Sequence, residues 1–356
     1  MSNQNKNRIY GLDVYRAIAI IIVVMGHGIL VNPQISLPFP VIDGVELFFV
    51  LSGFLIGSIL IRTLEKDNVF NFRSVLYFWK RRWFRTLPNY YLILFVNYML
   101  VSSELINGDI DQFGWSFIFF TQNLYTSFYG FFWESWSLSV EEWFYIILPL
   151  FILISYRFLS IKHALMTTIA CLILVPLIYR ISQSDLQVDS YNFDVEFRKV
   201  VIMRMDTIVY GVLAAYIKYY HGAIWKKSRF ICFVMGILII YTSIYLPKES
   251  NDFFTKTFNF VLVSIGAMLL LPYADSVKSY RVRVVGKFIT HISKISYSMY
   301  LVNLALVAQV IMKNFKPENS SDQMVMYVVF WAVTIGISTV LYYCFERPIM
   351  KLRDRF

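Results

Sequence analysis

The sequence predicts an all-α protein: a polytopic bundle of about ten transmembrane helices with both termini cytoplasmic. Three observations carry that prediction. Of 356 residues, 58% are hydrophobic and 16% charged, with a mean hydropathy of +0.56. Apolar runs long enough to cross a hydrocarbon core recur along the chain. Basic residues divide unevenly between alternate loops. No hydrophilic block is large enough for a soluble domain, so residues 1–356 read as one integral membrane domain.

By length and apolarity the spans fall at 12–31, 44–62, 84–103, 142–157, 164–181, 203–219, 229–246, 257–274, 295–312 and 325–344. With the N-terminus inside, cytoplasmic segments hold 24 of the 33 Lys and Arg and external loops hold 7, while Arg16 and Arg204 lie within or at the edge of spans. The net charge of +10 therefore reflects membrane orientation and gives no reason to expect nucleic acid as a partner. Cys171, Cys232 and Cys344 sit in apolar runs, without metal-like spacing or a disulfide framework, and read as small buried hydrophobes. Lys6 and Arg8 precede the first apolar run as in a signal peptide. That run has no small-residue cleavage site and carries His27, so it is expected to be retained.

Span one, GLDVYRAIAIIIVVMGHGIL, holds Asp13, Arg16 and His27. Ionisable groups inside a span are costly and point to function. Arg16 and His27 are eleven residues, or roughly 16 Å, apart on broadly one side of a helix. A cation near the surface and an acid/base group deeper in would suit a long anionic cosubstrate. The competing explanation is a core histidine bonded to a carbonyl and an arginine that snorkels to headgroups.

Span two, GVELFFVLSGFLIGSIL, has Gly53 and Gly57 in a small-xxx-small pattern that permits close helix packing. Glu46 lies at about the depth of His27, where a carboxylate could orient or charge the imidazole, or simply meet water at the interface. The following loop ends WKRRWFRTLPNYY. Arg81 and Arg85 are four apart with Arg82 adjacent, and forked guanidiniums among aromatics suit phosphates and an adenine ring. An ordinary basic belt against anionic lipid is the alternative.

Segment 113–145 is aromatic throughout, which suggests an interfacial or re-entrant course. Trp136, Ser137, Ser139, Glu141 and Glu142 precede span four. A serine could cap that helix with an acid in its first turn, or a carboxylate could stand near His27. The acidic loop with Asp185, Asp189, Asp194 and Glu196 reads as a solvated surface. Arg204 and Asp206 open span six, placed to pair with each other or with Glu141. His163, His221 and His291 fall in loops and are expected to be exposed. Pro348 is expected to stop the last helix.

Taken together, LDVYRAIAIIIVVMGH, GVELFFVLSGFLIG, KRRWFRTLP, WSLSVEEWFYIILP, MRMDTIVYG, ISYSMYLVN and FERP run in an order that resembles the acyltransferase-3 family of integral membrane acyltransferases, over essentially the whole chain. The resemblance implies transfer of an acyl group, usually acetyl, from cytoplasmic acyl-CoA to a hydroxyl at the far face, in the cytoplasmic (inner) membrane. It implies as acceptor a cell-surface polysaccharide or lipid-linked glycan such as lipopolysaccharide O-antigen; the family's known substrates also include peptidoglycan, exopolysaccharides and small glycosylated molecules. Some members carry a secreted hydrolase-like domain after the spans. This chain ends at Phe356, so none is expected. Many members have Asp where this chain has Glu46, and His where it has Asn303. A neutral amide is no base, so Asn303 is at most a hydrogen-bonding group and the acid/base role falls on His27.

On this basis His27, Glu141 and Glu142 are the candidate catalytic residues, and Arg16, Arg81, Arg82 and Arg85 the candidate acyl-CoA contacts. Asp13, Glu46, Asn123, Trp136, Ser137, Arg204, Asp206 and Tyr297 are candidate supporting residues, with Asn123 or Tyr297 as oxyanion donors. Acetyl-CoA is the expected cosubstrate, with no metal. The main alternative is a transporter that uses Arg16, His27, Glu46 and Arg204 as a polar relay. A third reading is a scaffold with a dead site.

Overall fold

The computed structural model describes residues 8–35, 42–67, 70–128, 130–246, 249–280, 282–315, 317 and 319–353. Among them there is no strand, and ten long helices correspond to the ten predicted segments. They are α1 (Tyr10–Gly28), α2 (Gly44–Asp67), α3 (Phe72–Ser102), α4 (Ser135–Tyr156) and α5 (Ile161–Ser182), then α6 (Val201–Tyr220), α7 (Arg229–Tyr245), α8 (Phe258–Ser276), α9 (Arg283–Asn314) and α10 (Ser320–Arg353). Seven of these are long and apolar enough to cross a membrane, or eight if the pair Ser190–Arg198 and Val201–Tyr220, bent by 64°, forms one span. The other two are α3, which carries the basic cluster, and α7, which has 17 residues. The protein is thus an all-α polytopic membrane bundle.

Several helices start earlier than their apolar runs. α3 begins at Phe72 rather than 84, α4 at Ser135 rather than 142, and α9 at Arg283 rather than 295. The first turn of α4 is buried and those of α3 and α9 are largely exposed, but in α3 and α9 charged residues precede the apolar run, so hydropathy understates their length. Ser137 and Ser139 consequently lie inside α4 instead of capping it, and no acid occupies its first turn. His291 falls within α9, half-buried, 3.1 Å from the Thr339 hydroxyl. His163 and His221 are exposed as expected. Pro348 does not stop the chain's last helix. It follows a π-helical turn, Tyr342–Glu346, and sits near the start of a new stretch to Arg353, where a missing N–H costs little. The cysteines are free, with Cys171 and Cys232 half-buried and Cys344 exposed rather than buried.

The centre of the bundle is the α2–α6 contact. A Cβ on Gly53 would overlap the carbonyl of Ile208, and one on Gly211 would overlap that of Val50. Only glycine lets these two backbones touch. Around this seam α1 packs on α2 and α9, and α8 closes against α6 and α7. At the other side Glu346 accepts hydrogen bonds from Asn89 at 3.2 Å and Ser298 at 2.9 Å, which ties α10 to α3 and α9.

Candidate active site

Two cavities meet inside the bundle. The first is narrow, about 100 Å³, and is walled by Arg16 of α1, Ser52 of α2, Arg82, Arg85 and Thr86 of α3, Ser137 and Glu141 of α4, and Tyr297 of α9. The second, about 730 Å³, is lined by His27, Asp43, Glu134, Trp133, Trp136, Arg198 and Lys199. Val45 and Tyr300 belong to both walls. Arg16 and His27 therefore open into adjacent chambers, as their spacing on one helix anticipates.

The arginine chamber is built by α3. Arg82 and Arg85 are three apart and face inward, which is possible because their turn is helical. Among the described residues, Arg16, Arg82 and Arg85 form no ion pair. Arg82 donates to the Tyr145 hydroxyl at 2.7 Å, and Tyr145 in turn donates to Glu141 at 2.7 Å and meets Ser52 at 2.8 Å. Arg81 points elsewhere. It is exposed and donates to the Tyr77 hydroxyl at 2.9 Å, so the expected Arg81–Arg85 face is replaced by Arg82 and Arg85.

Glu141 and Glu142 stand with the arginines, not beside His27. Glu142 is buried and accepts from Thr86 at 2.7 Å, while Glu141 lines the narrow chamber. Both lie about two turns further along α4 than Glu134, which is the carboxylate of that region that reaches the histidine chamber. Glu46 does not approach His27 either. It forms an ion pair with Arg204 across the α2–α6 seam. Asp206 pairs with Arg180 at 2.6 Å rather than with Arg204. Both pairs are buried, and each joins two neighbouring helices. Arg16, His27, Glu46 and Arg204 thus form no continuous relay.

His27 is held by Asn303, whose Oδ1 lies 2.5 Å from the imidazole Nδ1. The Asn303 amide group donates to the carbonyls of Met299 at 2.9 Å and Tyr300 at 2.8 Å. Those two bonds fix which way the amide faces, so Nδ1 carries the proton and Nε2 keeps a lone pair.

The outer wall of the larger chamber is an ionic cluster. Arg198 pairs with Asp43 and Asp194, and Lys199 also pairs with Asp194. Asp194 is accordingly part of a built cluster rather than of a solvated loop. Burial opposes ionisation of Asp43, yet the Arg198 guanidinium and the Val45 N–H hold its carboxyl below the ordinary value. Arg198 lies over the Trp136 ring at 5.2 Å and Lys199 over Trp133 at 4.9 Å.

The other supporting residues have structural partners. Asn123 spends its amide donors on the carbonyls of Trp136 at 3.1 Å and Lys199 at 2.5 Å. Tyr297 donates to the Thr86 carbonyl at 2.8 Å. Neither is therefore free as an oxyanion donor in this arrangement. Ser137 meets the Tyr300 hydroxyl at 2.6 Å, on the partition between the chambers. Asp13 pairs with Arg8 and accepts from Ser293 at 2.8 Å, which locks the start of α1 to α9.

A profile of the family described as an acyltransferase domain matches residues 9–343, and this is the acyltransferase-3 family. The chain belongs to it. Among curated relatives, the "Peptidoglycan O-acetyltransferase OatA" of Listeria monocytogenes is 31% identical over 163 residues, 42% of this chain and 25% of that protein. The "Putative peptidoglycan O-acetyltransferase YrhL" of Bacillus subtilis is 34% identical over 187 residues, 48% of this chain and 28% of that protein. A Staphylococcus aureus protein named "Putative O-acetyltransferase" is 25% identical over 378 residues, 96% of this chain and 57% of that protein. The chain thus spans little more than half the length of a relative it matches almost throughout.

Within this acyltransferase-3 chain, Tyr145, Asp43, Glu134 and Arg180 escaped the sequence reading. Glu134 carried a signal. It is the single charged residue between Asp111 and Glu141, in a stretch otherwise aromatic and polar.

Proposed function

We propose that this protein is a membrane O-acetyltransferase that moves an acetyl group from cytoplasmic acetyl-CoA to a hydroxyl of a cell-envelope glycan at the far face of the inner membrane. The observation that carries this reading is the partition. A chamber of unpaired guanidiniums and a chamber with an oriented histidine share Val45 and Tyr300. In this reading the N-terminus is inside, as the distribution of Lys and Arg suggests.

Arg82 and Arg85 bind the phosphates of the donor, and Arg16 contacts it closer to the partition. A narrow passage suits a thin pantetheine arm, with the thioester at the boundary. His27 Nε2 takes the proton of the acceptor hydroxyl as that oxygen attacks the thioester carbonyl. Asn303 accepts the Nδ1 hydrogen bond throughout. The carbon–sulfur bond then breaks, and the imidazolium returns the proton to the sulfur, giving acetylated glycan and CoA. The names of the relatives favour peptidoglycan over lipopolysaccharide as the glycan.

The test is O-acetyl content of the cell-surface glycan, read by NMR in cells that express wild type, His27→Ala or no protein, at matched membrane levels. Acetyl with wild type and none with the variant is the expected result. Equal acetyl in both would exclude His27 as the base. Acetate transfer without CoA release would exclude the donor.

A further inference from the structure

Residues Asn303–Ala308 form a π-helical turn inside α9. Such a turn displaces the backbone pairing and frees amide groups for other partners. Here Ala305 N–H donates to Glu134 Oε1 at 2.7 Å. Asn303, at the start of the same turn, holds His27. One irregularity in one helix thus anchors two side chains that line one cavity.

Glu134 is 1% exposed, and its second oxygen, Oε2, has no hydrogen-bond partner among the described residues. An unpaired buried carboxylate oxygen is costly, so its retention beside an open chamber points to a ligand. The other charges of the chamber are already matched. Asp43 and Asp194 pair with Arg198, and Lys199 with Asp194. The Trp136 and Trp133 rings are already covered by Arg198 and Lys199, so what remains on offer is an acceptor oxygen and an oriented base.

We propose that Glu134 is an acceptor-binding residue: Oε2 accepts a hydrogen bond from a hydroxyl or amide N–H of an uncharged sugar, next to the hydroxyl that His27 deprotonates. This rests on the acyl-transfer reading above. It adds a residue that binds the acceptor of that reaction.

The test is steady-state kinetics of the full chain in detergent, with acetyl-CoA and the β-1,4-linked tetramer of N-acetylglucosamine. Glu134→Gln keeps an oxygen for Ala305 N–H but replaces the second acceptor with an NH2 donor. It should raise KM for the tetramer tenfold or more and leave KM for acetyl-CoA within twofold. Glu134→Asp, which retains a carboxyl group, should recover part of the loss. An unchanged tetramer KM in Glu134→Gln, with wild type active, would overturn the role of Glu134 alone. So would a parallel rise in both KM values, or a Glu134→Asp variant no better than Glu134→Gln. A wild type that transfers nothing to the tetramer, and releases CoA at the same rate without it, would overturn the acceptor assignment above as well.

Discussion

His27 Nδ1 and Asn303 Oδ1 are 2.5 Å apart, and Asn303 cannot turn away because its amide group is bound to two backbone carbonyls. Asn303 therefore sets the tautomer of His27 without adding charge. Asn303→Leu should lower turnover ten- to a hundredfold, about 1.4–2.8 kcal/mol in the barrier. The donor KM should stay within twofold. Turnover equal to wild type in CoA-release assays would show that the pair has no catalytic consequence.

Arg82 and Arg85 wall the narrow chamber, while Arg81 is turned to Tyr77. Arg82→Ala or Arg85→Ala should weaken CoA binding by about ten- to a hundredfold, the effect of one charge-assisted hydrogen bond of roughly 1.5–3 kcal/mol. Arg81→Ala should change it less than twofold. Calorimetric titration of the purified protein with CoA decides the ranking, and a larger loss at Arg81 would contradict the facing seen here.

Gly53 and Gly211 touch backbone across α2 and α6. Gly53→Leu should therefore separate the helices and cost about 1–3 kcal/mol or more. A thermal melt followed by size exclusion should show an early-aggregating variant. A wild-type melting profile would mean the seam tolerates a side chain.

Asp43, paired with Arg198, titrates below its ordinary range. A carboxyl whose folded pKa is depressed stabilises the fold above its unfolded pKa, near 4, and that contribution fades as pH falls through the folded pKa. Asp43→Asn should thus lower the melting temperature at pH 7. The pair is only partly buried, so the loss should be roughly 1–3 kcal/mol, between exposed and fully buried pairs. The gap to wild type should narrow as the pH is taken below about 4. A gap that stays constant with pH would show that the pair does not carry the difference.

The all-α bundle was legible because spans of apolar residues report burial in lipid directly, whereas seven or eight helices, not the expected ten, are long and apolar enough to cross a membrane. The placement of Arg16 and His27 on one side of α1 followed from helical period alone. Which carboxylates line the chamber of His27 did not. Glu46 and Glu141 lie at plausible positions in the chain, but Arg204 takes the first and Tyr145 the second. Asp43 and Glu134 line that chamber instead, and the π turn in α9 offers Glu134 a free amide. Likewise the choice of Arg82 over Arg81 depends on how far α3 extends below its apolar run. Local sequence determined where charges enter the membrane and on which stripe of a helix they lie, since those depend on near neighbours and a fixed period. Only the tertiary structure decided their partners, because pairing depends on helix rotation, the depth at which helices meet and local breaks in their hydrogen bonding.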